Sequence, residues 1–177
     1  MELIKELLTI YWGQITVLLL GLGYFIKRYF DSKSKKLEIN HSLFQQNKIN
    51  AISTFFYNYA KVESTWFGLK IYDVLDRKMT VDEIDNIIWP PINDLKKSVL
   101  ELKIYFDQGS HKHFQNALDT YLELNDQLCR LYFNYDRDTK TTNKVNAFYL
   151  SQDNTKRKLV PILENITLVC RISFSTK

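Results

Sequence analysis

The chain has 177 residues and a net charge of +4, from 24 Lys and Arg against 20 Asp and Glu. Gly (5) and Pro (3) are scarce, which excludes collagen-like, mucin-like and broadly disordered chains, and speaks against a barrel of many short strands. Two Cys, far apart, make neither a disulfide framework nor a four-ligand zinc site. The length suits one domain, or one domain with an appendage. Charge is uneven: net +3 over residues 1–36, −2 over 37–107 and +3 over 108–177.

Residues 7–26 are twenty in a row without a charge. A helix of that length covers about 30 Å, the thickness of a bilayer's hydrocarbon core. Tyr11 and Trp12 stand near one end, and Tyr24, Phe25, Tyr29 and Phe30 near the other. Such rings favour the headgroup level. A cleaved signal peptide would have a basic leader, a shorter apolar stretch and a small-residue cleavage site, none of which is present. A buried core helix is the other reading. Lys27, Arg28, Lys33, Lys35 and Lys36 follow the run and only Lys5 precedes it. The positive-inside rule then puts the N-terminus outside and the C-terminal part in the cytoplasm of a bacterial inner membrane. The reducing cytosol also suits unpaired Cys.

Within this run Thr9, Gly13, Thr16, Leu20 and Gly23 recur at steps of four and three, with Gln14 beside them. Small residues let membrane helices approach closely, and a buried amide seeks a partner. The stripe predicts a homo-oligomer, with Thr9, Gly13, Gln14, Thr16 and Gly23 as contact or pore lining. A plain anchor uses the same residue types.

The polar, basic residues 27–48 are expected to continue the helix. The domain boundary is placed after residue 36, with a helical bundle over 37–177. Ile52, Phe55, Tyr59, Val62, Trp66 and Leu69 mark one helical face, in a helix expected to reach Arg77. Thr80 and Glu83 form a capping box ahead of a short helix that Pro90-Pro91 should end near Trp89. Ile92, Leu95, Val99, Leu102 and Phe106 mark the next helix, and Gly109-Ser110 a break with a cap. Phe114 to Leu131 continue the rhythm to about Tyr135, and 136–142 read as a loop. A short helix over 143–151, a loop over 152–155 and a last helix near Pro161 complete an all-α chain.

No catalytic motif appears, so no enzyme and no cofactor are expected. His111 and His113, two apart, do not share a helix face and have no acidic or Cys ligand close in sequence. They read as a solvated helix start, and no metal site is assigned. Asp136-Arg137-Asp138 lacks a phosphate loop and reads as a polar loop. Cys129 and Cys170 fall in apolar stretches and read as small hydrophobes. The remaining chemistry is cationic. Residues 27–36 suit anionic headgroups. Lys140, Lys144, Lys156, Arg157 and Lys158 make a candidate phosphate-binding patch, with Tyr135, Phe148 and Tyr149 near enough to stack on bases. A solvated loop is the plainer reading of that cluster. A ring of four subunits, a tetramer, would multiply the local positive charge.

The layout of span at 7–26, basic junction at 27–36 and helical domain at 37–177 resembles small bacterial membrane effectors of anti-phage defence. Within that class it is most similar to the membrane effectors of Hailong systems. The resemblance implies a helical protein that oligomerises in the membrane and is held inactive by single-stranded DNA from a partner nucleotidyltransferase. It carries no signature motif and assigns no residue a role. The expected function is an oligomeric effector that senses an anionic oligonucleotide and gates a membrane pore. The alternative is a membrane-anchored adaptor that binds a protein partner without a pore.

Overall fold

The computed structural model describes the backbone of residues 2–133 and 140–175, and the side chains of 5–6, 10–14, 16–17, 19–133 and 140–175. Every regular element among them is an α-helix: α1 (Glu2–Gly68), α2 (Ile71–Leu75), α3 (Val81–Leu102), α4 (Gln108–Phe133) and α5 (Thr141–Ser175). The chain divides into two units, Met1–Asn47 and Lys48–Lys177. This division falls later than the boundary expected after residue 36, because no residue between 37 and 47 is buried.

The first unit is made of α1 alone. Among the described residues, α1 is the one helix long and apolar enough to cross a membrane, and none of its apolar window is buried.

The second unit is a bundle built around the last third of α1. Ala51, Phe55, Tyr59, Val62 and Trp66 are buried at steps of three and four, so one face of α1 turns inward. Phe55 meets Phe114 of α4 edge to face, with ring centroids 5.0 Å apart. Tyr59 meets Tyr121 at 5.7 Å. Trp66 meets Phe148 of α5 at 6.2 Å. From α3 come Ile84, Ile88, Ile92, Leu95, Val99 and Leu102, all buried. Polar groups tie the same helix down. The Asn58 amide donates to the Asp94 carbonyl (3.1 Å), and the Lys61 ammonium meets the Asp94 carboxylate (3.0 Å).

Four expected boundaries are corrected. The helix expected to reach Arg77 stops at Gly68. Gly is a weak helix former, and the break at Leu69-Lys70 resets the helical phase so that Ile71, Val74 and Leu75 all reach the core. Arg77 then takes a left-handed φ of 59°, rare for a residue with a Cβ. Its guanidinium donates to the Tyr132 carbonyl (3.2 Å) and so holds the turn against α4.

Pro90-Pro91 does not end a helix, since both prolines lie inside α3. Ile88, Pro91, Ile92 and Leu95 are buried on one face, and that packing outweighs a local penalty of about 3 kcal/mol. The carbonyls of Asn86 and Ile87 lose their helical donors on the exposed side. The capping box is present as expected: Thr80 N–H donates to Glu83 Oε2 (2.8 Å) and Glu83 N–H to Thr80 Oγ1 (3.3 Å).

The α4 cap is Asp107 rather than Gly109-Ser110. Its carboxylate accepts from the Ser110 N–H (3.0 Å) and hydroxyl (2.9 Å). Finally, the short helix, loop and last helix expected over 143–175 are one helix, α5, with Pro161 inside it. Gln152 and Thr155 looked like loop residues but are buried. The Gln152 amide donates to the Trp66 carbonyl (2.8 Å), one of the orphan acceptors in the last turn of α1. Tyr135 and Asp136-Arg137-Asp138 lie outside the described residues.

Replacing Gln152 by Ala strands that buried carbonyl. The variant should lose about 1–3 kcal/mol, read as a lower urea midpoint of the full chain in detergent by far-UV circular dichroism.

Candidate functional site

In the first unit, Gly13, Gln14, Thr16 and Gly23 are exposed positions of α1, and the side chain of Thr9 lies outside those described. Thr16 satisfies itself: its hydroxyl donates to the Trp12 carbonyl one turn back (2.8 Å). Gln14 has no such partner among the described residues, so its amide keeps its full hydrogen-bonding capacity for another molecule. A Cβ added at Gly13 or Gly23 would meet nothing within 4 Å. A Cβ is therefore accommodated at both positions among the described residues. Next along the helix, Lys27, Arg28, Lys35 and Lys36 lie around one shallow groove with Tyr24 and Asp31. Two adjacent pairs about two turns apart place these four cations on one side of α1. Tyr24 packs edge to face on Phe25 (6.1 Å), and Tyr29 on Phe30 (5.8 Å).

The second cationic cluster is not gathered at one point. Lys140 precedes α5, Lys144 lies in its first turn, and the triplet is three turns further on. About 18 Å of helix separates Lys144 from Lys156. The triplet itself fans out, since consecutive helix positions are about 100° apart. The Lys156 ammonium sits over the Phe67 ring, 4.1 Å from its centroid. Lys158 pairs with Glu123 of α4 (2.7 Å), both ends exposed. Arg157 and Lys158 line a polar groove of about 520 Å³ between α4 and α5, with Glu123, Gln127, Ser151 and Asn154. Of the rings expected to stack on bases, Phe148 is fully buried against Trp66 and unavailable, whereas Tyr149 is half exposed.

His111 is not a solvated helix start. Its Nε2 lies 2.8 Å from the Val99 carbonyl, which fastens α4 to α3. Among the described residues, no three His, Cys, Asp or Glu side chains gather as metal ligands. Cys129 is exposed at the α4 surface, contrary to the buried place expected for it, while Cys170 is half buried. Partial desolvation at the helix surface, with Asp126 and Asp85 nearby, pushes the Cys129 thiol up; burial does so at Cys170, where Lys48 opposes it.

Two features escaped the sequence reading. Lys48 is only 6% exposed, although it is a lysine. Its signal was its place three residues before Ala51, one step ahead on the stripe that continues through Phe55, Tyr59 and Trp66. The Trp66 indole N–H is buried with no hydrogen-bond partner among the described residues, and the buried Tyr121 hydroxyl has that of Tyr59 as its neighbour. Burial pushes the Tyr121 phenol far above its ordinary range. No sequence pattern announces an orphaned indole N–H.

Comparison with known proteins returns no matching family model, no matching curated protein and no matching solved structure.

A raised thiol pKa leaves less thiolate at neutral pH. Iodoacetamide should therefore alkylate Cys129 more slowly than it alkylates a free model thiol at pH 7.5. The gap should close as pH rises past the model thiol's own range, followed by intact-protein mass spectrometry.

Proposed function

We propose that the chain is a self-associating, single-pass membrane effector of the kind used in anti-phage defence, with its helical domain in the bacterial cytoplasm. The domain senses an anionic ligand, and the ligand alters an assembly of the membrane helices that forms an ion path. The observation that carries this reading is the apolar run of α1. None of its apolar window is buried among the described residues, and the Gln14 amide, beside Gly13, has no hydrogen-bond partner among them. An amide in hydrocarbon is costly unless another helix meets it, so a second copy is the natural partner. The cationic face at Lys27, Arg28, Lys35 and Lys36 supports anchoring on an anionic leaflet.

The spread of Lys140, Lys144, Arg157 and Lys158 along α5 bears on the ligand. Phosphates at both ends of that helix stretch belong to a polymer, because a mononucleotide cannot span about 20 Å. An oligonucleotide, as the resemblance implies, meets this requirement. A second reading has its own support. Lys156 is spent on Phe67 and Lys158 on Glu123, which favours an anchored adaptor that binds a protein and conducts nothing. Ion flux in liposomes separates the two.

The first test is the mass and nucleic-acid content of the detergent-purified protein. A defined oligomer with nuclease-sensitive oligonucleotide supports the effector, and a clean monomer favours the adaptor. Bound oligonucleotide should be lost steeply as salt rises, through counterion release. A salt-insensitive ligand would remove the cationic patch from the reading.

Gln14→Leu and Gly13→Leu should each weaken self-association in cross-linking assays and reduce toxicity on overexpression. Unchanged toxicity in both would leave the stripe as a plain anchor.

A further inference from the structure

A lysine ammonium removed from water is normally paired with a carboxylate or neutralised. Lys48 is buried at the start of the second unit, and among the described residues no carboxylate meets it. Its ammonium lies between two rings instead, 4.8 Å from the Phe106 centroid and 5.4 Å from that of Phe174. Ring faces attract a cation but do not neutralise it. The Cys170 thiol beside it is pushed up by burial and brings no negative charge at neutral pH. Burial in turn pushes the Lys48 ammonium below the usual lysine range, the mark of a charge that lacks compensation.

The same lysine lines a groove of about 340 Å³ formed by the turn between α3 and α4 and the last turns of α5. Phe106, Val169 and Ile172 supply apolar walls, and Asp107 and Ser110 stand at the rim.

We propose that this groove is a binding site for a carboxylate carried on a small apolar body, with Lys48 as the counter-ion. The lining argues for that class in two ways. There is one ammonium, and the Asp107 carboxylate at the rim stays charged, because the Ser110 N–H and hydroxyl hold it below the usual carboxylate range. A dianion such as phosphate would be repelled by Asp107, whereas a monoanion can take the Lys48 side. The walls then suit a ring or a short alkyl chain, not a hydrated ion. The site is separate from the cations of α5 and does not depend on the effector reading.

The test uses the full chain in phosphatidylcholine nanodiscs, with phenylacetate, its neutral isostere phenylacetamide and inorganic phosphate as probes. Affinities of phenylacetate and phenylacetamide are read by saturation-transfer NMR, and that of phosphate by its displacement of the phenylacetate signal. Phenylacetate should bind about tenfold more tightly than phenylacetamide or phosphate, a difference of about 1.4 kcal/mol. Lys48→Met places an apolar chain between the two rings and should reduce phenylacetate to the level of the amide. Equal affinity of acid and amide overturns the proposal. Tighter binding of phosphate, or unchanged phenylacetate affinity in Lys48→Met, does the same. The acid-against-amide comparison on the unaltered protein stands alone if Lys48→Met does not fold.

Discussion

The bundle depends on a single row of side chains. Phe55, Tyr59, Val62 and Trp66 of α1 enter the space that α3, α4 and α5 enclose, and each is almost fully buried. A buried aromatic removes about 150–250 Å² from water, which is worth several kcal/mol at about 25 cal/mol per Å². Without this row, Phe114, Tyr121 and Phe148 would face a void. These rings meet edge to face or tilted at the centre of a core that is otherwise aliphatic, with Ile, Leu and Val from every helix around them. The helix that carries the apolar run thus also completes the core of the second unit. α1 cannot be trimmed back to an anchor without removing the centre of the domain.

Much of this was legible because it rests on period. The steps of three and four through residues 52–66, 92–106 and 114–131 each name a buried face correctly. The Thr80–Glu83 box is a local device, so its sequence signature is reliable. Where prolines and polar residues misled, tertiary burial overrode a local preference, whereas the stop at Gly68 and the Asp107 cap are local features. Pro90-Pro91 and Pro161 are helix breakers by propensity, yet they lie within helices whose neighbours are packed. Gln152 and Thr155 are polar, yet buried, because the amide of Gln152 is needed by a carbonyl 86 residues away in sequence. No local pattern records such a partner. The small-residue stripe of α1 was readable as a spacing, and its described members Gly13, Thr16 and Gly23 are exposed.

The cations divide into three kinds. Lys27, Arg28, Lys35 and Lys36 share one side of α1. Those of the late cluster are dispersed, and Lys156 and Lys158 meet Phe67 and Glu123. Lys48 continues the buried stripe of α1, its ammonium between two rings with no carboxylate on it among the described residues. Net charge alone described none of this. A total of +4 is the sum of an electrostatic surface, a set of intramolecular fasteners and one desolvated ammonium.

The two prolines of α3 have one more effect. Proline has no N–H, so the hydrogen bonds that would run from positions 90 and 91 to the carbonyls of Asn86 and Ile87 are missing. The ladder is thinned there to the bonds from Ile92 and Asn93, and side-chain packing makes up the difference. The turns before that point are held by the Thr80–Glu83 cap at one end and by Ile84 and Ile88 against the core. α3 is therefore one rod whose middle relies more on side-chain packing than its ends do.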